Sequence, residues 1–230
     1  MNSKSICLMF CAIFSLALFS CSDSPSEPET KPFVIENLGV RFGQWNKSTN
    51  EAGDFLFKPY QRKVFLEFGA EVGAGGGEVK ALPTFEYRLK KDVFVTAIAE
   101  GEVVRFVYQE ETQDYEFSVR SRNDPAFNVG YDHVKNPTVK MGDIVTAGDT
   151  LGNPGTWSDD LGRFEIMVNN YETGLSYCPF CFFNPETVEQ YQNQVLQFML
   201  DWEEFEGDTT IYDEENHVAP GCRMESMESY

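Results

Sequence analysis

The sequence is poor in basic residues and contains no apolar stretch long enough to span a membrane as a helix. Its 230 residues include 18 lysines and arginines against 37 aspartates and glutamates, which gives a net charge of −19. A surface this acidic repels phosphate backbones and anionic headgroups, so nucleic acid and anionic lipid are not expected partners. The sequence also lacks an internal repeat of solenoid length, which excludes repeat architectures.

The first twenty residues have the composition of a secretory signal. Lys4 supplies positive charge, and residues 6–19 form an apolar run that is too short to span a bilayer. The run ends at Leu18-Phe19-Ser20-Cys21, which resembles a bacterial lipobox. We therefore expect residues 1–20 to be a signal peptide and Cys21 to carry lipid. The alternative is an ordinary signal peptide with a chance cysteine.

The segment that follows, residues 21–32, predicts a flexible tether. It is rich in proline, serine and acidic residues and nearly free of apolar ones, so it cannot bury enough surface to fold. Lipid chains on Cys21 hold a protein at a membrane without a spanning helix. We expect a lipid-anchored cell-envelope protein, and Ser22 favours the outer over the inner membrane, at its periplasmic or surface face.

The middle of the chain predicts short strands. Residues 33–80 read as a β-rich N-terminal extension, and residues 81–183 alternate apolar and polar residues between turn residues. The glycine cluster at residues 73–77 lacks the Gly-Lys-Ser/Thr ending of a phosphate loop and predicts a hairpin or loop. The fold class expected is mainly β, a sandwich or barrel.

The C-terminal part predicts one amphipathic helix and an acidic tail. Asn184-Pro185-Glu186 is a helix-start pattern, and apolar residues then recur every three or four positions up to residue 206. A stripe this rich indicates packing on the parent domain rather than on a partner. Residues 207–230 are acidic and predict a solvated tail.

Three cysteines remain after the signal and the lipidation site, namely Cys178, Cys181 and Cys222. In an oxidising compartment we expect a disulfide from Cys222 to either Cys178 or Cys181. Two alternatives stay open: a structural zinc site formed by Cys178, Cys181, His217 and Cys222, and a redox-active pair of Cys178 with Cys181.

Residues 139–152, Val-Lys-Met-Gly-Asp-Ile-Val-Thr-Ala-Gly-Asp-Thr-Leu-Gly, resemble the strand-turn-strand motif of LytM-type (lysostaphin-like) zinc endopeptidases. Further pieces resemble that family in its order along the chain: residues 95–104, 130–134, 163–166 and 184–185. The resemblance covers about residues 82–186. It implies a barrel-sandwich hybrid fold, in which two glycine turns fold short strands back on each other.

The same resemblance implies that the family's zinc ligands are missing. Fitting the family's ligand positions onto the chain places Leu82 and Glu86 at the upstream pair and Leu161 and Arg163 at the downstream pair. A guanidinium cannot ligate a metal. The chain has only two histidines, His133 and His217, so no other fitting restores the set. The metal site is therefore expected to be degenerate, with no cofactor.

Four residues are candidates for an inherited cleft: Glu86, His133, Arg163 and Glu165. His133 is either a group that binds a ligand on the cleft floor or a hydrogen-bonded strand residue without a role. Arg163 is a candidate for holding an anionic group such as a peptide carboxylate. A different zinc site built from Glu86, His133 and Glu165 is the alternative.

Three functions follow from these observations. The first is a non-catalytic envelope protein that binds peptidoglycan or an envelope protein partner. The second is an active zinc metalloendopeptidase acting on cell-wall peptides with an altered site. The third is an adaptor or carrier of the lipoyl-like hybrid class, which requires a modified lysine at a hairpin tip, and Lys135 is the candidate. The missing histidines favour the first.

Overall fold

The computed structural model describes residues 32–75 and 78–229, so the predicted signal peptide, Cys21 and nearly all of the tether lie outside the described residues. Within that part, short strands dominate and one long helix lies near the C-terminus, which confirms the mainly β prediction. The elements are β1 (Trp45–Asn46), β2 (Glu51–Ala52), β3 (Phe55–Leu56), β4 (Phe65–Leu66), β5 (Glu71–Gly75), β6 (Glu78–Ala81), β7 (Phe85–Lys90), β8 (Val95–Thr96), β9 (Gly101–Gln109), β10 (Asp114–Arg120), β11 (Phe127–Lys135), β12 (Ile144–Val145), β13 (Thr150–Thr156), β14 (Leu161–Asn170), β15 (Leu175–Tyr177), α1 (Val188–Glu206) and β16 (Ser226–Glu228).

All the strands except β5 and β6 belong to one antiparallel sheet. Its long central strands lie in the order β7, β14, β11, β10 and β9. Strands β3 and β4 both pair with β7, so the N-terminal segment is part of this sheet rather than a separate layer. Strands β5 and β6 pair with each other across the glycine cluster.

The alternation of residues along β7 separates an aromatic core from a charged face. Phe85, Tyr87 and Leu89 are fully buried in the core cluster. Glu86 and Arg88 lie between them in sequence and project from the other face, because side chains alternate along a strand. This face carries the candidate site.

The two glycine turns of residues 139–152 have the backbone conformation that the motif requires. Gly142 and Gly148 have φ values of 85° and 92°, in the left-handed region that only glycine enters cheaply. The following aspartates close the turns: Asp143 Oδ2 accepts from the Lys140 N–H at 3.0 Å, and Asp149 Oδ2 accepts from the Thr146 N–H at 2.8 Å.

Helix α1 begins at Val188, four residues after the predicted start at Asn184. The helix starts later because Asn184 forms a separate turn. Its side-chain oxygen accepts from the Glu186 N–H at 2.9 Å, and the backbone of Thr187, which precedes the helix, is not helical. The helix ends at Glu206 and is followed by Gly207, whose φ of 70° is typical of a C-terminal cap.

The buried stripe of α1 packs on the parent sheet through contacts between aromatic side chains. Phe198 lies 4.4 Å from Phe55 and 5.0 Å from Phe42, measured between ring centroids. Trp202 contacts Phe57 edge-on, with centroids 5.0 Å apart. Such pairs contribute about 0.5–1.5 kcal/mol each beyond the area that they bury.

The acidic C-terminal segment is folded, and the expectation of a solvated tail is wrong. Tyr212 is buried, and its hydroxyl donates to the Phe65 carbonyl at 2.9 Å. Strand β16 pairs with β15. Arg223 reaches the fully buried carboxylate of Glu67 at 3.3 Å. These contacts hold the segment on the sheet despite its charge. Among the described residues, no helix is long and apolar enough to cross a membrane.

Candidate functional site

The charged face of the central sheet brings three carboxylates into one row. Glu86 on β7 lies opposite Glu165 on β14, and Glu165 lies opposite Asp132 on β11. Cross-strand neighbours of this kind have Cβ atoms about 4.5–5.5 Å apart. Arg163 and His133 join the row, so the four residues predicted from the sequence as a cleft lie together.

Arg163 lies between two of these carboxylates as an internal counter-ion. Its Nη2 donates to Glu86 Oε2 at 2.9 Å and to Glu165 Oε1 at 2.5 Å. Arg88 pairs with Glu86 as well. The Arg163 side chain is 32% exposed, but its charge is already matched, because one guanidinium faces two carboxylates. The structure therefore does not show Arg163 as a free anion-binding group.

A β-bulge places His133 on the same side as Asp132. The register between β10 and β11 shifts between residues 115 and 117, so Asp132 and His133 both face Glu116. His133 has a φ of 59°, which is rare for a residue other than glycine. Bulges often redirect a side chain beside a functional site. Here the bulge turns the imidazole toward the carboxylate row.

The His133 ring is held by a buried carboxylate. Its Nδ1 lies 3.0 Å from Oδ2 of Asp114, which is fully buried. Gly155 on β13 makes room for this pair. A Cβ at that position would lie 2.4 Å from Asp114 Oδ2 and 2.9 Å from His133 Cβ. The arrangement fixes the ring so that Nε2 is the nitrogen directed at the row.

Burial and neighbouring charges give the carboxyl groups of the row different pKa values. Burial, followed by the charge of Glu86, raises the pKa of Glu165 to about 7. Burial also acts to raise the pKa of Glu86, but Arg88 and Arg163 outweigh it and keep that pKa below its ordinary value. Burial raises the pKa of Asp132. Glu86 therefore loses its proton at a lower pH than Glu165.

The four positions fitted to the family's zinc ligands do not fit a zinc ion. Leu82 and Leu161 are buried apolar side chains. Arg163 presents a cation, and Glu86 is engaged by two guanidiniums. A catalytic zinc needs about three protein ligands, and this set offers one carboxylate.

The cysteines form a disulfide rather than a metal site. Cys178 and Cys222 are joined, and Cys181 remains a free thiol that is exposed. The alternative zinc set of Cys178, Cys181, His217 and Cys222 is therefore wrong, because two of its thiolates are consumed in the bond. His217 instead accepts from the Gly221 N–H at 3.3 Å.

Several residues of the site were missed from the sequence. Asp114 and Arg88 lie on strands whose alternation was recognised, but their partners depend on register. Asp132 is adjacent to His133 in the sequence, and of the missed residues it is the one that the sequence alone could have indicated. Lys135 does not lie at a hairpin tip: it ends strand β11, and its Nζ donates to Thr156 Oγ1 at 2.7 Å. The structure gives no support to a carrier lysine there.

No protein-family model matches the sequence. No curated protein matches it either. Among solved structures, the catalytic domain of lysostaphin from Staphylococcus simulans overlaps 52% of this chain and 88% of its own length, with 20% identity and a TM-score of 0.39. LytU overlaps 56% of this chain and 90% of its own, with 16% identity and a TM-score of 0.42.

The solution structure of lysostaphin overlaps 49% of this chain with 20% identity and a TM-score of 0.40. This chain spans about half the length of that protein, 48%. Similarity at these identities and TM-scores says nothing about catalysis or ligands.

Proposed function

We propose that the chain is a non-catalytic, lipid-anchored cell-envelope protein that binds peptidoglycan. The observation that carries the proposal is the position of Arg163. Its guanidinium lies between Glu86 and Glu165, at a position where the LytM-type resemblance requires a metal ligand. A cation held at this place by two carboxylates substitutes for a metal charge but cannot activate water.

The surface proposed to bind the cell wall is an exposed aromatic pair at the end of the charged face. Tyr60 is 54% exposed and Trp157 is 36% exposed. Their rings are almost parallel, with an interplanar angle of 12° and centroids 6.2 Å apart. We call this pair the aromatic platform. Exposed aromatic rings suit packing against the apolar faces of sugars.

Basic side chains contact Trp157 and the residues that follow it. The Arg88 guanidinium lies 4.7 Å from the centre of the Trp157 ring. Lys58 lies 3.6 Å from Asp160, and Lys91 donates to the Asp159 carbonyl at 2.8 Å. Peptidoglycan combines sugar rings with stem peptides that end in carboxylates. The rings match the sugars, and Lys58 and Lys91 supply positive charge for the carboxylates.

Co-sedimentation of the purified protein with insoluble peptidoglycan tests the proposal. We expect wild-type protein in the pellet, and binding about 5- to 10-fold weaker for Trp157→Ala, since one lost stacking contact removes about 1 kcal/mol. Tyr171→Ala is the matched control. It removes an aromatic ring that is 60% exposed at the other end of β14, roughly 30 Å away.

Wild-type protein that stays in the supernatant would refute peptidoglycan binding and turn attention to an envelope protein partner. Equal loss in Trp157→Ala and Tyr171→Ala would refute the role of the aromatic platform. Circular dichroism of each variant checks that the fold is intact.

A further inference from the structure

The outer edge of strand β9 is unpaired over most of its length. Strand β12 pairs with β9 only at residues 101–102, and the N–H of Val103 then donates to the Asp143 carbonyl at 2.9 Å. Past a bulge, residues 105–109 keep an unbroken register with β10 on the other side of the strand. Within the part of the chain that the structure describes, no segment pairs with the outer edge of residues 105–109, which we call the β9 edge.

The β9 edge lacks the residues that commonly protect such an edge. Unpaired backbone N–H and C=O groups pair readily with another extended chain, and proteins often prevent this with proline or lysine. Residues 105–109, Arg-Phe-Val-Tyr-Gln, contain neither. The one cation, Arg105, forms an ion pair with Glu116 on the neighbouring strand. By contrast, the N–H of Trp45 on the edge strand β1 is capped by Asp201 Oδ2 at 3.2 Å. The β9 edge is therefore open to the addition of a strand.

Aromatic side chains follow one face of the β9–β10 hairpin outward from the core. Phe106 lies opposite Phe117, and Tyr108 lies opposite Tyr115, so the four side chains share a face. The ring centroids of neighbouring members are 5.1 to 5.6 Å apart. Phe117 is fully buried, whereas Tyr108 is 50% exposed and Val107, on the opposite face, is 39% exposed. Apolar side chains of an added strand would therefore have apolar neighbours on both faces.

The hairpin also carries negative charge that its own residues do not balance. Residues 101–116 contain five acids against one base, a net charge of −4. Glu102 precedes the β9 edge, Glu110 and Glu111 follow it in the turn to β10, and all three are exposed. Among the described residues, none of these three acids forms an ion pair, since Arg105 is paired with Glu116. A basic segment would be attracted at both ends, whereas a second copy of this chain, of net charge −19, would be repelled.

We propose that the β9 edge binds an extended, basic segment of a protein partner, which joins the sheet as a further strand. Backbone hydrogen bonds along the edge supply affinity, and alternate side chains of the segment supply specificity. Apolar residues of the segment lie beside Val107 and Tyr108, and its lysines or arginines lie near the acids at both ends. The edge of residues 105–109 spans about 17 Å, the usual length of one strand.

Fluorescence anisotropy with a labelled heptapeptide that alternates lysine and valine tests the β9 edge. The matched peptide has its central valine replaced by proline, which keeps the charge but removes a backbone N–H and disfavours a paired strand. We expect the purified protein to bind the alternating peptide about 10-fold more tightly than the proline peptide.

Charge reversal in the turn tests the role of the acids. Glu110→Lys/Glu111→Lys should weaken binding of the alternating peptide by about 5- to 10-fold at low salt, because two attractions become repulsions. Glu172→Lys/Glu215→Lys is the matched control, since it makes the same change in net charge at exposed acids outside the hairpin. The control should bind within about 2-fold of wild type, because distant exposed charges are screened.

Hydrogen–deuterium exchange locates the bound peptide. We expect slower exchange in residues 105–109 when the alternating peptide is present, because backbone N–H groups at the outer edge gain partners. Absence of binding by the alternating peptide overturns the proposal, and so does protection that lies outside the hairpin. Equal binding of the two peptides would leave only attraction between charges and refute strand addition.

Dimers of the protein alone in sedimentation velocity, with residues 105–109 protected from exchange, would assign the β9 edge to a second copy and overturn the proposal. The inference does not rest on peptidoglycan binding, which concerns the aromatic platform. Co-sedimentation with peptidoglycan is measured separately, so failure of one proposal is distinguishable from failure of the other.

Discussion

The disulfide between Cys178 and Cys222 should account for a large part of the stability of this protein. The bond closes a loop of 44 residues that contains helix α1 and the start of the acidic segment. Loop-closure entropy for that length corresponds to about 4 kcal/mol at 25 °C. The free energy of unfolding of a globular domain is only about 5–15 kcal/mol, so loss of the disulfide would remove a large share of it.

The perturbation is the double variant Cys178→Ala/Cys222→Ala, measured by urea unfolding with linear extrapolation to water. Both cysteines are buried, and alanine avoids introducing a buried hydroxyl. We expect the free energy of unfolding to fall by about 4 kcal/mol, or the protein to be unfolded at 25 °C. Cys181→Ala, at the exposed free thiol, should change it by less than about 0.5 kcal/mol.

Two results would refute this reasoning. One is a double variant within about 1 kcal/mol of wild type, which would mean that the acidic segment is held mainly by its other contacts. The other is peptide mapping that finds Cys181 in the bond, since the described pairing leaves that thiol free.

Three further predictions concern the core, the acidic segment and the site. Phe198→Ala should cost about 3–5 kcal/mol in urea unfolding because the ring is fully buried, whereas Leu200→Ala, half-exposed on the same helix, should cost far less. Burial lowers the pKa of His217 below 6.5, so the folded state binds fewer protons than the unfolded state; stability should fall as the pH drops from about 7 to about 5, and His217→Gln should flatten that dependence. Gly155→Ala should lower the melting temperature by several degrees because its Cβ would overlap the site, whereas Gly73→Ala, with nothing within 4 Å, should not.

Local patterns predicted the elements of this fold well. The alternation in residues 85–89 predicts β7, and the apolar spacing after residue 184 predicts α1. Both patterns arise because the positions that face the core recur with the period of the strand or the helix. A single sequence is enough to show that period. The glycine turns at Gly142 and Gly148 could also be predicted, because the left-handed backbone conformation strongly favours glycine.

The site could be predicted only in part, because its geometry depends on register. The four candidate residues lie together, but the sequence does not show the bulge that turns His133 beside Asp132. A bulge adds one residue to a strand, and a shift of one residue reverses which face a side chain occupies. The pairing of Arg163 with two carboxylates also joins strands far apart in sequence. The sequence also could not show that Cys222 pairs with Cys178 rather than Cys181, since both cysteines precede it at nearly the same separation in sequence.

The proposal that the domain binds peptidoglycan without cleaving it is tested most directly by mass spectrometry of the soluble fraction. Purified protein is incubated with insoluble peptidoglycan, with and without added Zn²⁺, and the supernatant is analysed for released fragments while the pellet is assayed for protein. We predict protein in the pellet and no fragments above the protein-free background in either condition. Fragments that appear with wild type, and disappear with Asp132→Asn, would contradict it and establish a metallopeptidase.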